Sequence, residues 1–213
     1  MRDHNVEEAI RLLSEAAKEQ PDNHEIWAKL GSLYLERGRP DGFTEVIETM
    51  FDAMPYRPQV HHLVLAGVGV KQGFFQQARS AFDDAIRKQP DNVKLLYGLS
   101  VLLQAGDHHA ESVPYLTQAL DLVPDLRVGH YALAVAFLTL GRLDEADHES
   151  MAAVRGDRAD ARMAEAYYVS GVIEEMKGLN MAARLDFEMF IKMAAADLED
   201  YIRDARWRLQ YLS

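Results

Sequence analysis

A small residue recurs inside successive helix-like segments, and this recurrence limits the possible folds more than any other feature of the sequence. The residues are Gly31, Ala66, Ser100, Ala134 and Gly171, at steps of 35, 34, 34 and 37 residues. A glycine inside a helix costs about 1 kcal/mol relative to alanine, so something must offset it. We therefore expect Gly31 to allow a second helix of the same repeat to pack closely.

Two further series keep the same period. One consists of small residues and the other of prolines: Ala78, Ser112, Ala146 and Ala183, and Pro21, Pro55, Pro90 and Pro124. Turn signals lie between them, at Gly38, Gly73, Gly106, Gly141 and Gly178. Apolar residues recur at helical spacing throughout, and no segment alternates as a strand would. The sequence therefore predicts a unit of helix A, turn, helix B and turn, repeated about every 34 residues.

Several residues match a known repeat pattern. They are Trp27, Leu30, Gly31, Tyr34 and Pro55 in one unit, and Ala78, Phe82, Ala85, Pro90, Gly141 and Ala146 in others. With these residues the chain resembles the tetratricopeptide repeat (TPR) family, whose period is 34 residues. The resemblance implies an all-α fold, a right-handed α-solenoid of helix–turn–helix units with a C-terminal capping helix.

We interpret residues 1–213 as a single solenoid domain. A half unit at 5–23 has only helix B, and full units follow at 24–57, 59–92, 93–126, 127–160 and 164–197. A final helix at 198–212 is expected to cap the last apolar face. One extra residue is expected in the turn at 56–58 and three at 161–163.

Two departures from the pattern predict local irregularity. Phe43 replaces a small residue, so its helix pair is expected to be splayed or shifted. Gly67 and Gly69 lower the helix propensity of their segment. We therefore expect region 40–75 to be the most deformable part of the chain.

A groove is the predicted binding site, because the resemblance implies a concave wall built from helix A. The residues expected to line it are Leu63, Gly67, Lys94, Tyr97, Val101, Gln104, Tyr131, Val135, Leu138, Tyr168 and Val172. In the last three units, tyrosine and valine stand one helical turn apart on one face. Such a stripe suits an apolar or amphipathic peptide segment. Two alternatives stay open: the tyrosines only fill gaps between A helices, or the C-terminal helix folds into the groove.

The sequence offers no catalytic motif, and we expect no enzyme activity, no metal and no cofactor. Asp107-His108-His109 falls in a turn and lacks the supporting acidic residues of a metal site. His62 and His130 are expected to pack in the place that Trp27 takes in its unit. A carboxylate clamp for acidic C-termini would need Lys and Asn at set places, and Lys29 alone has the right chemistry.

Composition limits the partners and the location. The net charge of −11 disfavours nucleic acid and anionic membranes. No apolar run of 18 residues exists, so direct membrane insertion is not expected. No signal peptide is visible, and the chain has no cysteine. A cytoplasmic location is predicted, while a periplasmic one or an excised domain of a larger protein stays open.

The function predicted from these features is a non-catalytic scaffold or adaptor that binds a segment of another protein. Two alternatives remain. The protein could self-assemble through its exposed solenoid ends, or it could be a TPR segment that regulates an enzyme attached to it.

Overall fold

The computed structural model describes residues 2–154 and 163–212, and within these ranges the chain is helical with no strand. The α-helices are α1 Arg2–Glu19, α2 His24–Glu36, α3 Pro40–Ala53, α4 Pro58–Ala66, α5 Phe75–Lys88, α6 Val93–Ala105, α7 His109–Leu122, α8 Arg127–Thr139, α9 Leu143–Ala153, α10 Ala164–Met176, α11 Asn180–Met193 and α12 Glu199–Leu209. A π-helical segment, Gly67–Lys71, follows α4, and a 3-10 turn, Ala196–Leu198, precedes α12. Most of the predicted insertion at 161–163 lies outside the described residues.

The helices form two compact units, Met1–Val123 and Pro124–Ser213. In unit 1, α1 packs on α2, α2 pairs with α3, and α6 pairs with α7. In unit 2, α8 pairs with α9, α10 pairs with α11, and α12 packs on α11. The predicted all-α organisation of consecutive helix pairs is confirmed.

The helix boundaries follow local chemistry. The Asn23 side chain accepts a hydrogen bond from Glu25 N, and the Asn92 side chain accepts from Lys94 N, so both cap their helices. After each A helix one residue adopts positive φ: Gly38, Gly73, Asp107, Gly141 and Gly178. The third of these turns differs from our expectation, because Asp107 and not Gly106 takes the left-handed conformation.

The extra residue of the second repeat lies inside a helix, not in the turn at 56–58 as the sequence pattern suggested. Fifteen positions separate the N-cap from the left-handed residue in four repeats, for example from Asn23 to Gly38 and from Asn92 to Asp107. From Arg57 to Gly73 there are sixteen. The π-helical segment Gly67–Lys71 accommodates the additional residue, because a π turn is one residue wider than an α turn. Deformability of this region stays a prediction.

Gly31 lies where two helices come close, as predicted. A Cβ at this position would lie 3.2 Å from the ring of Phe43 on α3 and 3.5 Å from Val68. Phe43 is completely buried and packs edge-on against Phe82 at 5.3 Å between ring centroids. The space left by the missing glycine side chain therefore holds the large residue that we expected to disturb this pair.

A ring N–H near the start of several A helices binds a backbone carbonyl of the preceding turn. Trp27 Nε1 donates to Pro21 O at 2.8 Å, and His130 Nε2 lies 3.0 Å from Pro124 O. In the second repeat the equivalent residue is His61, whose Nε2 lies 2.8 Å from Met54 O. His61, and not His62, therefore takes the place of Trp27, because the extra residue of this repeat comes after His61 in the chain.

The end of unit 2 is closed by α12. Leu198, Ile202, Ala205 and Leu212 are buried in one cluster with Phe187 and Phe190 of α11. Glu199 and Asp200 lie in the first turn of α12, where their negative charges stabilise the helix by interacting with the positive end of its dipole. Among the described residues, no helix has the length and apolar character needed to cross a bilayer.

Candidate functional site

Tyr97, the first tyrosine of the predicted stripe, is an interior residue. It is 3% exposed, and its ring packs edge-on against Phe51 at 5.1 Å and against His61 at 5.7 Å. Its hydroxyl lies 3.0 Å from His61 Nδ1. Because Nε2 of His61 faces the Met54 carbonyl, Nε2 carries the proton and Nδ1 accepts from the tyrosine. In this structure Tyr97 offers no surface to a ligand.

The imidazole at this position is held neutral. Burial lowers the pKa of His61 to about 4, against the hydrogen bond to Met54, which works to raise it. The neutral ring satisfies both of its nitrogens within unit 1 and leaves none for a ligand. His61 and Tyr97 therefore join α4 to α6 and do not provide acid–base chemistry.

The other predicted residues of unit 1 also make intramolecular contacts. Val101 and Gln104 are buried, and Gln104 Nε2 donates to Ser112 Oγ at 3.2 Å. Lys94 is partly exposed and forms an ion pair with Asp52 at 2.6 Å. Leu63 is half-buried. Gly67 begins the π-helical segment, where a Cβ would come within 2.9 Å of Ala28. Their role in binding stays a prediction.

Unit 1 also has a surface cavity that the sequence did not reveal. It has a volume of about 270 Å³ and lies among α1, α2 and α3. Its apolar part comes from Trp27, Leu30, Tyr34 and Val46, and Lys18 and Glu45 add opposite charges. Since three helices contribute to it, no single stretch of sequence carries its signature.

Unit 2 keeps its predicted side chains partly accessible. Tyr131, Val135 and Leu138 are all half-buried on α8. Their spacing of four and three residues places them in one row along the helix. Their counterparts in α6, Tyr97, Val101 and Gln104, are buried. The tyrosine–valine stripe is therefore more accessible on α8 than on α6.

On α10, Tyr168 is partly covered by the C-terminal helix. Its ring lies 5.0 Å from that of Tyr201 and 5.2 Å from that of Phe190. Its hydroxyl donates to Asp204 Oδ2 at 2.7 Å. Val172 packs against the same apolar cluster. The alternative that α12 packs onto this part of the stripe therefore describes Tyr168 better than a free groove does.

The contact between α10 and α12 is also electrostatic. Arg208 Nε donates to Asp204 Oδ2 at 2.6 Å, and its guanidinium also pairs with Glu175. Burial raises the pKa of the Tyr168 hydroxyl, and the neighbouring Asp204 carboxylate raises it further. Burial works to raise the pKa of Asp204, but the hydrogen bonds from Tyr168 and Arg208 hold it below its ordinary value. These four side chains fix α12 against α10.

Sequence reasoning did not single out two exposed aromatic residues, because it considered the C-terminal helix as a cap or as a segment that fills the groove. Trp207 is 55% exposed and Tyr211 is 66% exposed, and their ring centroids are 5.0 Å apart. Counted from the helix N-caps, Trp207 holds the position of Val135 and Val172. The signal that could have revealed it was the repeat register itself, continued into the last helix.

The histidine-rich turn after α6 has packing partners. His108 stacks on Phe75 at 5.3 Å between ring centroids and lies 2.9 Å from Glu111. In the part of the chain that the structure describes, no three His, Cys, Asp or Glu side chains come together as metal ligands.

Tetratricopeptide repeat profiles match residues 1–66, 68–127 and 100–159, which is most of the chain. The chain belongs to the tetratricopeptide repeat family. It is also 29% identical over 126 residues to Protein CTR9 homolog of Arabidopsis thaliana, a match that covers 56% of this chain and 11% of that protein. The chain thus corresponds to a small part of that relative.

Solved TPR proteins share the fold. YrrB, described as a TPR protein with an unusual peptide-binding site, is 19% identical, with a TM-score of 0.52 over 85% of this chain and 91% of that one. TTC0263, a thermophilic TPR protein of Thermus thermophilus, is 17% identical, with a TM-score of 0.54 over 92% and 98%. MamA is 18% identical, with a TM-score of 0.53 over 77% and 94%. At these identities the likeness shows the fold alone.

Proposed function

We propose that this TPR protein is an adaptor that holds an apolar or amphipathic peptide segment of another protein against helices α8 and α10. TPR proteins bind other proteins or peptides, and no catalytic family is indicated for the chain. The observation that carries the proposal is the row Tyr131, Val135 and Leu138, which is half-buried and partly accessible while the equivalent row on α6 is buried.

The chemistry of this row suits a peptide better than a small polar ligand. Tyrosine supplies a large apolar area together with a hydroxyl that can bond a peptide backbone. The neighbouring valine and leucine add aliphatic area one helical turn apart. A bound segment would therefore place apolar side chains along α8.

Other predicted residues would contribute at the margins. Tyr168 and Val172 are partly exposed, so they form the edge of the surface next to α12. Within unit 1, taken by itself, Leu63 and Lys94 retain exposed atoms, whereas Tyr97, Val101 and Gln104 are buried.

The proposal is tested with a phage-displayed library of random 12-residue peptides selected on the full chain. We expect Tyr131→Ala to weaken the binding of the selected peptides by about 1–3 kcal/mol, as the loss of an aromatic anchor does. The matched control is Leu185→Ala, which removes an apolar side chain that is 53% exposed on α11. Both variants should retain the circular dichroism of the parent. Equal affinity for the parent and Tyr131→Ala would contradict the proposal.

A further inference from the structure

We infer that α12 extends the peptide-binding surface with the aromatic pair Trp207 and Tyr211, and that the segment bound there is acidic as well as apolar. This inference rests on the proposed function, because it describes one end of the same surface.

The repeat register places α12 in line with the other A helices of unit 2. Five residues after their N-caps, α8, α10 and α12 carry Tyr131, Tyr168 and Arg203, and nine residues after them they carry Val135, Val172 and Trp207. Tyr168 contacts α12 through Tyr201 and Asp204, as successive A helices would. The C-terminal helix therefore both caps the unit and supplies binding positions.

Trp207 is exposed on a helix that is already fixed, and Tyr211 lies in the turn directly after that helix. The opposite side of α12 is buried through Ile202 and Ala205, and Arg208 connects the helix to Glu175 of α10. Trp207 and Tyr211 are four residues apart in the chain, and their rings are in contact at a tilt of 53°. A ligand side chain would thus meet two rings that need little ordering, which favours affinity.

The charges beside the pair determine the kind of segment that fits. Arg206 is exposed and makes no ion pair with any described residue. Arg203 is exposed and, among the residues that the structure describes, forms an ion pair only with Asp200, a surface contact worth about 0–1 kcal/mol that a ligand carboxylate can replace. The arginines of α12 are balanced in number by its carboxylates, but Arg203 and Arg206 lie nearer to Trp207 in the chain than the first-turn carboxylates do. Complementary charge therefore favours a segment with Asp or Glu within one turn of a large apolar side chain.

Glu199 and Asp200 determine which way a bound acidic segment would run along α12. Both carboxylates lie in the first turn of α12, away from Trp207 and Tyr211. They would repel an acidic ligand residue at that end. The ligand carboxylate is therefore expected beside Arg206, with the apolar side chain against the exposed surface of the two rings.

The test uses the same random 12-residue library on the full chain. Selected sequences should be enriched in Asp or Glu next to Leu, Phe or Trp. A synthetic peptide of the most enriched sequence should shift the emission of Trp207, which is exposed, whereas the second tryptophan, Trp27, is 3% exposed. We expect Trp207→Ala and Arg206→Glu each to lower the affinity for this peptide tenfold or more. The control Arg184→Glu reverses the charge of an exposed arginine on α11 and should change affinity less than twofold.

The outcomes separate this inference from the proposed function. Binding that is lost in Tyr131→Ala but unchanged in Trp207→Ala and Arg206→Glu would overturn the role of α12 and leave the adaptor proposal standing. Binding that is lost in the α12 variants but unchanged in Tyr131→Ala would support α12 and overturn the surface on α8. Selection of basic sequences would overturn the acidic specificity. A dimer in light scattering that Trp207→Ala abolishes would overturn the inference by showing that a second copy of the chain covers the pair.

Discussion

The Tyr97 hydroxyl lies 3.0 Å from Nδ1 of His61, and this hydrogen bond joins α6 to α4 in the interior of unit 1. The second nitrogen of His61 bonds to the Met54 carbonyl, so the imidazole links two helices and the turn before α4. Buried polar groups that satisfy one another in this way specify one packing arrangement. Tyr97 therefore holds the same position in its repeat as Tyr131, but its side chain is buried and takes part in the packing of unit 1.

Replacing Tyr97 with phenylalanine should destabilise the protein although the ring is retained. The substitution leaves Nδ1 of His61 buried without a donor, which costs about 1–3 kcal/mol. Urea denaturation measures the loss of unfolding free energy. Tyr211→Phe removes a hydroxyl from an exposed ring and should stay within about 0.5 kcal/mol of the parent. Equal effects of the two substitutions would show that the hydrogen bond to His61 contributes nothing.

The same histidine should make stability depend on pH. Its pKa is about 4 in the folded protein and about 6.5 when unfolded, so the unfolded state takes up a proton first as pH falls. The contribution of neutral His61 is complete above pH 6.5 and is lost between pH 6.5 and 4, at about 1.4 kcal/mol per pH unit.

The difference between the parent and His61→Gln isolates this effect, because all other titrating groups are shared. Unfolding free energies measured at several pH values between about 4 and 7 should fall more steeply for the parent. Parallel curves would mean that the pKa of His61 is the same in the folded and unfolded states.

The turn after α6 should be improved by glycine. Asp107 adopts φ of 63°, where an L-residue is strained, while Gly141 takes the equivalent place with φ of 73°. We expect Asp107→Gly to raise the free energy of unfolding by about 0.5–1 kcal/mol, and with it the melting temperature. Gly141→Ala should lower stability by about 1 kcal/mol. Calorimetry of the pair tests this, and a stabilising Gly141→Ala would disprove the assigned turn conformation.

Asp204 should hold α12 in place. Asp204→Asn removes the charge that Arg208 and Tyr168 share, and it should lower the free energy of opening α12 by about 1 kcal/mol, since the carboxylate is partly exposed. Hydrogen exchange of the α12 amides reports this directly. Arg203→Gln breaks the surface pair with Asp200 but leaves the first-turn carboxylates of α12 in place, so it serves as the control. Unchanged protection in Asp204→Asn would assign the anchoring of α12 to its apolar contacts alone.

The period of about 34 residues was sufficient to predict the helices and their pairing. Small residues, prolines and turn glycines act locally, on backbone conformation and on the closest helix contact, so their spacing can be read directly from the chain. Gly31 against α3 and the Asn23 and Asn92 caps were predictable for this reason. The position of the extra residue was not, because a π turn changes only the hydrogen-bond register at the end of α4.

The candidate site shows the same division. The sequence by itself determined that tyrosine and valine recur at one helical position in consecutive repeats. Only the tertiary structure decided that Tyr97 is enclosed by Phe51 and His61, that Tyr131 stays half-buried, and that Trp207 is exposed on α12. The physical reason is that exposure depends on side chains from helices distant in sequence, whereas helix formation and repeat register depend on neighbours along the chain.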